Sequence, residues 1–121
     1  MELDNTDDAK GTGPLIFGRV LDGKGGARSI ARGEVDQWQP AAPGEVMWLH
    51  LRGTAPEVQP WLETDLRIPE PTAELLVSDS TRPRALTEGG ALIATLRGIN
   101  YNANADPEEM ISLQLWSDGQ R

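Results

Sequence analysis

Hydrophobic and polar residues alternate in several short segments of this sequence, and each such segment predicts a β-strand. PLIFGRVL is the first of them, and it is followed by the glycine-rich letters DGKGGA and by a second short segment, ARSIA. Because glycine-rich turns join antiparallel strands, we expect the chain to open with a β-hairpin. The next segment, EVDQWQPAAPGE, contains two prolines and is predicted to be irregular.

The segment EVMWLHLRG predicts a strand that is apolar on both of its faces. It places Val46, Trp48 and His50 on one face and three further apolar side chains, those of Met47, Leu49 and Leu51, on the other. Strands of this kind usually lie in the middle of a sheet that is covered on both sides. We therefore expect this strand to be central and helices to pack against it.

TAPEVQPWLETDL, which follows, has the spacing of an amphipathic helix. Its apolar face consists of Val58, Trp61, Leu62 and Leu66. The first residues of the segment also contain a threonine and a glutamate at the spacing of a capping box, Thr54 and Glu57. Proline breaks a helix interior, so we expect the regular part to begin near Gln59 with Pro60 in its first turn.

A second helix is predicted over PEPTAELLVSD. Pro69 and Pro71 lie near its start, where proline is tolerated. Its leucines, Leu75 and Leu76, are expected to be buried, together with Ile68 just before the helix.

Beyond the helices, two strands are predicted to form a hairpin and a third to follow a polar loop. Gly89 and Gly90 separate RALTE from ALIATL and supply the positive φ angles that a two-residue hairpin turn needs. After the polar letters NYNANADPEE, MISLQLW alternates so that Ile111, Leu113 and Leu115 are expected to face inward. The turn letters SDGQ come next, and we interpret this point as a truncation.

These elements predict an α+β fold with layered helices and a mixed, largely antiparallel sheet. We expect residues 13–121 to form one domain of this kind. Residues 1–12 are acidic and almost free of apolar side chains, so they are expected to be a disordered tail.

The amino-acid composition excludes several classes of partner and site for this chain. The chain has 121 residues, a formal net charge of −8 and no cysteine. The negative charge argues against a nucleic-acid partner, and the missing cysteine excludes disulfides and thiolate metal ligands. The longest apolar runs are far shorter than the ~20 residues that span a bilayer.

A few side chains are weak candidates for binding a metal ion. His50 is the one histidine, and a single histidine without cysteine cannot complete a zinc site within one copy. Glu70 and Glu74 are four residues apart on one helical face, and Asp79 follows them. Either these carboxylates are simply solvated, or they hold a cation shared with a neighbouring subunit.

The segment DSTRPRALTEGG places two guanidinium groups around a proline in a strongly acidic chain. Arg82 and Arg84 could pair with acidic side chains at a subunit contact or hold an anion. Alternatively, they pair locally with Asp79 and Glu88 and orient the chain as it enters the hairpin.

Four segments in a particular order give the sequence a family resemblance. They are WLHL, DSTRPRA, LIATLRGIN and DPEEMISLQLWSD, and they lie between Trp48 and Asp118. In order and spacing they resemble the N-terminal cytoplasmic domain of the ZntB branch of the CorA metal-ion transporter superfamily. The resemblance is good over residues 44–118 and only general over residues 14–35.

The resemblance implies the cytoplasmic regulatory or funnel domain, of α/β/α type, of a homopentameric divalent metal-ion transporter in a bacterial inner membrane. Zinc or magnesium would be the transported ion. The stalk helix, the two membrane helices and the Gly-Met-Asn tripeptide of such proteins are not in this sequence. The chain by itself is therefore expected to be soluble and to transport nothing.

One departure from the wider superfamily concerns a regulatory magnesium site. The resemblance to CorA channels implies a Glu-Asp pair at a fixed distance before the Arg-Pro letters, and those positions hold Glu74 and Leu75 here. The missing aspartate argues against a magnesium sensor of that type and favours the ZntB branch.

A free-standing soluble binding module on the same scaffold is the alternative to a transporter domain, because fold alone does not determine function. An enzyme is not expected, because the sequence contains no nucleophile–base pair and no metal-binding cluster. No catalytic residue and no bound cofactor is predicted.

Overall fold

The computed structural model describes residues 11–79, 82–98, 100–104, 106 and 111–121. Six strands and three short helices lie within these residues. In chain order they are β1 (Leu15–Leu21), β2 (Ala27–Ser29), α1 (Arg32–Val35), β3 (Val46–Leu51), α2 (Val58–Thr64), α3 (Glu70–Leu76), β4 (Arg84–Glu88), β5 (Ala91–Gly98) and β6 (Ile111–Ser117). Most of the predicted acidic tail, residues 1–10, lies outside the described residues.

The opening hairpin is confirmed, and its turn is organised around one carboxylate. The strands β1 and β2 pair in antiparallel fashion. The Asp22 carboxylate accepts hydrogen bonds from the backbone N–H groups of Lys24 (2.7 Å) and Gly26 (2.9 Å). These hydrogen bonds, with that from Lys24 contributing most, hold the pKa of Asp22 below its usual value of 3.8.

The strand β3 is present as predicted, but it is not central. The first sheet has the order β2-β1-β3, so β1 is its middle strand. One face of β3 is buried through Met47, whereas Trp48 on the other face is 54% exposed. The Trp48 ring packs against Phe17 of the neighbouring strand in the same sheet and stays more than half exposed. An apolar second face therefore did not require β3 to be central.

The segment predicted to be irregular, which begins at Glu34, overlaps the last two residues of one helical turn, α1. The Glu34 carboxylate accepts a hydrogen bond from the backbone N–H of Ala31 (3.0 Å) and so closes this turn. Val35 at its end is buried in the core. The proline-containing remainder of the segment has no regular structure, as expected.

The start of helix α2 agrees with the prediction made from Pro60. It starts at Val58, so Pro60 lies in its first turn, and the predicted apolar face is buried. The capping box of Thr54 and Glu57 is not formed, because Glu57 is itself the N-cap and its side chain makes no capping hydrogen bond. Pro60, the third residue of the helix, has no backbone N–H, so one of the donors that a capping side chain would pair is absent.

The helix α3 buries a different stripe from the one predicted. Thr72 and Ala73 are buried, while Leu75 and Leu76 are only half-buried. Ile68, before the helix, is buried as expected. The small residues are the buried ones on this short helix, which contacts α2, whereas Leu76 packs against the core cluster as a partly buried residue.

A single cluster of buried side chains joins the first sheet to the helices. Partly buried residues from the second sheet and from connecting segments pack against this cluster, and Trp116 of β6 is one of them. The buried members of the cluster are Leu15, Val20, Ile30, Val35, Met47, Ala55, Val58, Trp61, Leu62, Leu66, Ile68 and Ala73.

The second sheet has the order β4-β5-β6, and all of its pairings are antiparallel. The hairpin between β4 and β5 turns at Gly89 and Gly90, whose φ angles are 60° and 85°. Both values lie in the left-handed region, which glycine adopts without steric cost, so the predicted two-residue turn is confirmed.

The strand β6 turns the opposite face inward from the one predicted. Leu113 is 49% exposed, whereas Gln114 lies opposite the buried Thr95 and Trp116 lies opposite the buried Ile93. The side chain of Ile111 lies outside the described side chains. Because side chains alternate along a strand, packing Trp116 on the core forces the leucine face outward.

The fold class is confirmed. The chain is an α+β protein with antiparallel sheets and a few helices. No helix in the described part of the chain has both the length and the apolar character needed to cross a bilayer.

We expect a double-mutant cycle to detect coupling between Thr95 and Gln114. The Thr95 hydroxyl donates a 2.5 Å hydrogen bond to Gln114 Oε1 between adjacent strands. Thr95→Val should cost about 1–2 kcal/mol of unfolding free energy, because it removes the donor at a buried position. Combining it with Gln114→Leu should cost less than the sum of the single changes, as measured by urea denaturation. Strict additivity would contradict a role for this hydrogen bond.

Candidate functional site

His50 lies in an aromatic cluster and not among carboxylates. It is half-buried on β3, and its ring centroid is 5.2 Å from that of Phe17 at an interplanar angle of 80°. Trp48 contacts the same Phe17 ring edge-on at 5.2 Å, and the Arg19 guanidinium lies 5.1 Å from its centroid.

The acidic candidates lie on and after α3. Glu70 is the first residue of this helix and Glu74 lies one turn later, and both side chains are exposed. Asp79 is also exposed and follows the end of the helix. This arrangement is that of a solvated helix face within a single copy of the chain.

Within the described ranges, no three histidine, aspartate or glutamate side chains come together in a way that could hold a metal ion. A site built from Glu70, Glu74, Asp79 or His50 would therefore need ligands from elsewhere, such as a second copy of the chain. The four residues stay predictions.

The guanidinium groups of Arg82 and Arg84 are both exposed. Arg84 begins β4 and lies opposite Thr95 of β5. In the part of the chain that the structure describes, no ion pair joins either arginine to Asp79 or Glu88, so the expected local pairing is not observed. Both groups are accessible to an acidic partner or an anion.

The sequence did not indicate a small polar cavity that the structure contains. Residues just after α1, residues just after α2 and residues after β6 form its walls. We call it the Trp38 cavity, and its volume is about 170 Å³. Gln120 holds one side of it in place, because its carbonyl accepts a 2.7 Å hydrogen bond from the backbone N–H of Met47. Its lining residues are Asp36, Trp38, Gln39, Pro40, Asp65, Leu66, Arg67, Gln120 and Arg121.

Arg67 in this cavity has an unusual backbone conformation. Its φ angle is 57°, in the left-handed region that favours glycine. The chain reverses there between α2 and α3, and the backbone N–H of Ile68 donates to the carbonyl of Leu62 at 2.9 Å. The sequence offers no signal for this conformation, because arginine is an ordinary helix-forming residue.

A second, open groove of about 410 Å³ runs beside α2. The Arg32 guanidinium lies 4.9 Å from the ring centroid of Trp61 at this groove. Trp61 itself is buried, so the groove presents the cation and the side chains of Glu57 and Asp65 rather than an aromatic surface.

The outer face of the second sheet carries no charged side chain among its described residues. Three leucines on this face are roughly half-exposed: Leu92, Leu96 and Leu113. The pairing of the strands places further small, apolar or hydroxyl side chains on the same face. These are Ala85, Thr87, Ala94, Leu115 and Ser117.

Comparison with known proteins assigns a family. The family model of the CorA-like Mg2+ transporter protein matches residues 43–121. The divalent cation transporter CmaX of Pseudomonas aeruginosa is 40% identical over 108 residues, which is 88% of this chain and 32% of the relative. The chain thus spans about a third of the length of the curated relative it matches.

Two solved structures share the fold. The structure of the full-length CmaX protein aligns with a TM-score of 0.83 and 37% identity, covering 94% of this chain and 35% of that chain. The crystal structure of the ZntB cytoplasmic domain from Vibrio parahaemolyticus aligns with a TM-score of 0.66 and 27% identity. That alignment covers 86% of this chain and 40% of the solved one.

Proposed function

This chain belongs to the CorA-like Mg2+ transporter family, and we propose that it forms part of the cytoplasmic domain of a divalent metal-ion transporter of the CmaX and ZntB kind. The observation that carries the proposal is the structural match to a domain that is itself described as the ZntB cytoplasmic domain. Sequence identity of 37% to the solved CmaX chain supports the same role.

In this proposal the chain serves assembly and regulation, and other segments of a longer protein form the pore. The transported ion would be zinc or magnesium, the location would be the cytoplasmic face of a bacterial inner membrane, and the partner would be further copies in a homopentamer. The chain would have no enzymatic activity. Its net charge of −8 supports a surface that attracts cations rather than nucleic acid.

Subunit contacts are the role we propose for Arg82 and Arg84. Both side chains are exposed and neither is neutralised by Asp79 or Glu88 in the described part of the chain. Arginine pairs bidentately with carboxylates, and an acidic protein offers many of them on a neighbouring copy. We also propose that the candidate ligands contribute to a weak metal-ion site shared between neighbouring copies of the chain. These candidates are Glu70, Glu74, Asp79 and His50.

Ion flux into liposomes tests the proposed function. We expect the product of the complete reading frame, reconstituted into liposomes that contain a zinc- or magnesium-sensitive dye, to admit one of these ions. The 121-residue chain added to identical liposomes should give the flux of empty liposomes, because it has no membrane-crossing helix in its described part.

A reading frame that ends shortly after Arg121 would contradict the proposal, and so would a complete product that admits no divalent cation. Either result would favour the free-standing binding module. Flux produced by the 121-residue chain alone would contradict the division of labour between this chain and the rest of the protein.

A further inference from the structure

The strand β4 is an exposed edge of the second sheet. All of its residues, Arg84–Glu88, are exposed, and among the described strands it pairs with β5 alone. Glu88 closes the two-residue turn with Ala91, so its backbone carbonyl faces β5. Because backbone groups alternate in direction along an antiparallel strand, the N–H and C=O groups of Ala85 and Thr87 point away from β5. No described strand pairs with them.

This open edge lies on the opposite side of the second sheet from the residues that follow β6. Those residues run to β3, where the Gln120 carbonyl accepts a 2.7 Å hydrogen bond from the backbone N–H of Met47. The sheet order β4-β5-β6 places β5 between that region and β4. The backbone groups of β4 are therefore open because β4 is an edge strand, a type of strand that readily pairs with another chain.

The charges of β4, whose sequence is RALTE, match those of a second copy that runs antiparallel to it. With Leu86 opposite Leu86 of the other copy, Arg84 of each copy lies opposite Glu88 of the other. Neither Arg84 nor Glu88 has an ion pair among the described residues. The same register places Ala85 opposite Thr87 of the other copy, so every open N–H and C=O group gains a partner.

Other registers lose one of these two matches. Placing Ala85 opposite Ala85 brings Arg82 opposite Glu88, but it also brings Thr87 opposite Pro83, which has no backbone N–H to donate. Placing Thr87 opposite Thr87 leaves the charged residues at both ends of the strand without a charged residue opposite. Charge and backbone pairing therefore favour the same register.

We propose that β4 pairs with β4 of a second copy of this chain, antiparallel and about a two-fold axis at Leu86. The second sheets of the two copies then form one continuous sheet. A two-fold contact uses the same surface on both copies and closes at two, so it is distinct from the ring contacts of a homopentamer. The inference does not rest on the transporter proposal.

The pairing is expected to be weak. The edge offers a strand of 5 residues and buries far less than the ~1,000 Å² of a stable interface, so we expect a dissociation constant of about 0.1–1 mM. Its specificity comes from the two charged residues, because like charges directly opposite each other in a sheet are destabilising.

A charge exchange followed by analytical ultracentrifugation of the 121-residue chain tests the pairing. Arg84→Glu leaves only acidic side chains at the ends of the paired strands, and Glu88→Arg leaves only basic ones. Each variant alone should dimerise at least about tenfold more weakly than the original chain. An equimolar mixture restores opposite charges at both ends, so it should associate as the original chain does. Arg28→Glu, at an exposed position on β2, is the matched control and should change nothing.

A disulfide crosslink tests the position of the two-fold axis. The chain has no cysteine, so Leu86→Cys introduces a single thiol, which the pairing brings next to its equivalent within reach of a disulfide. Leu92→Cys is the matched control, because Leu92 is 43% exposed against 39% for Leu86 but lies on the central strand β5. In a glutathione redox buffer, Leu86→Cys should form a linked dimer at least about tenfold faster.

Three results would overturn the inference. The first is a chain that stays monomeric at about 1 mM. The second is a mixture of the two charge variants that associates no better than either alone. The third is crosslinking of Leu92→Cys at the rate of Leu86→Cys, which would place the contact on the outer face of the sheet. Ion flux through the complete product is a separate measurement, so none of these results bears on the transporter proposal.

Discussion

Trp61→Ala is expected to destabilise the protein by about 3–5 kcal/mol, the range for deleting a buried tryptophan side chain. Trp61 is 3% exposed and lies on the apolar face of α2 that packs into the core cluster. Its removal leaves a cavity that the surrounding side chains cannot fill completely, and it also removes the ring beneath the Arg32 guanidinium. The free energy of unfolding of a native protein is about 5–15 kcal/mol, so this substitution should remove a large share of the stability.

Trp48→Ala is the control, because it deletes the same side chain at a position that is 54% exposed. Its expected cost is about 1 kcal/mol, mainly from the lost edge-to-face contact with Phe17. Chemical denaturation followed by circular dichroism measures both variants. Equal effects of the two changes would mean that α2 does not pack as the structure shows.

Gly18→Ala is expected to cost about 2–3 kcal/mol, although it adds only one methyl group. A Cβ atom at Gly18 would lie 2.8 Å from the carbonyl oxygen of Ile30 and 2.9 Å from its Cγ2 atom. Ile30 is almost completely buried, and its backbone N–H donates to the Gly18 carbonyl at 3.1 Å. Relief of the clash would therefore require the backbone next to β1 to move and would strain this hydrogen bond.

Gly33→Ala is the matched control for this substitution. No atom lies within 4 Å of a Cβ built at Gly33, and the residue is in the helical turn α1. Alanine is favoured over glycine in a helix by about 1 kcal/mol, so this variant should be neutral or slightly more stable. Thermal unfolding distinguishes the two outcomes, and a Tm for Gly18→Ala equal to that of Gly33→Ala would refute the close approach at β1.

Local sequence signals were sufficient for most elements of the fold. The double glycine at Gly89 and Gly90 predicted its hairpin, because two adjacent glycines adopt the two positive φ angles of a tight hairpin turn without steric cost. Pro60 likewise predicted where α2 begins, since the constraint that proline imposes is local to the backbone. The family resemblance also rested on segments of the sequence alone, and the family model and the solved relatives agree with it.

The main errors of the sequence-based prediction concern the face that a strand buries and the place of a strand in its sheet. Leu113 was predicted to face inward, yet Gln114 and Trp116 do so, because Trp116 packs on the core and Gln114 finds a hydrogen-bond donor in Thr95. The strand β3 was predicted to be central and lies at an edge. In both strands the alternation was correct, but alternation says neither which of the two faces meets the core nor which strands lie alongside.

The Trp38 cavity illustrates the same limit. Its lining comes from three separate parts of the chain, represented by Trp38, by Asp65 with Arg67, and by Gln120, and none of these residues carries a motif. Their proximity depends on the reversal after α2 and on the return of the chain after β6 to the edge of β3.

The sequence by itself therefore determined the six strands, the helices α2 and α3, their order, the hairpin turns and the family of this protein. These follow from local backbone preferences, from side-chain periodicity and from the spacing of recognisable segments. Only the tertiary structure decided the strand order, the inward faces of β6 and α3 and the residues that line the Trp38 cavity. Each of these depends on which distant surfaces exclude water together, and that free energy is not encoded within any one segment.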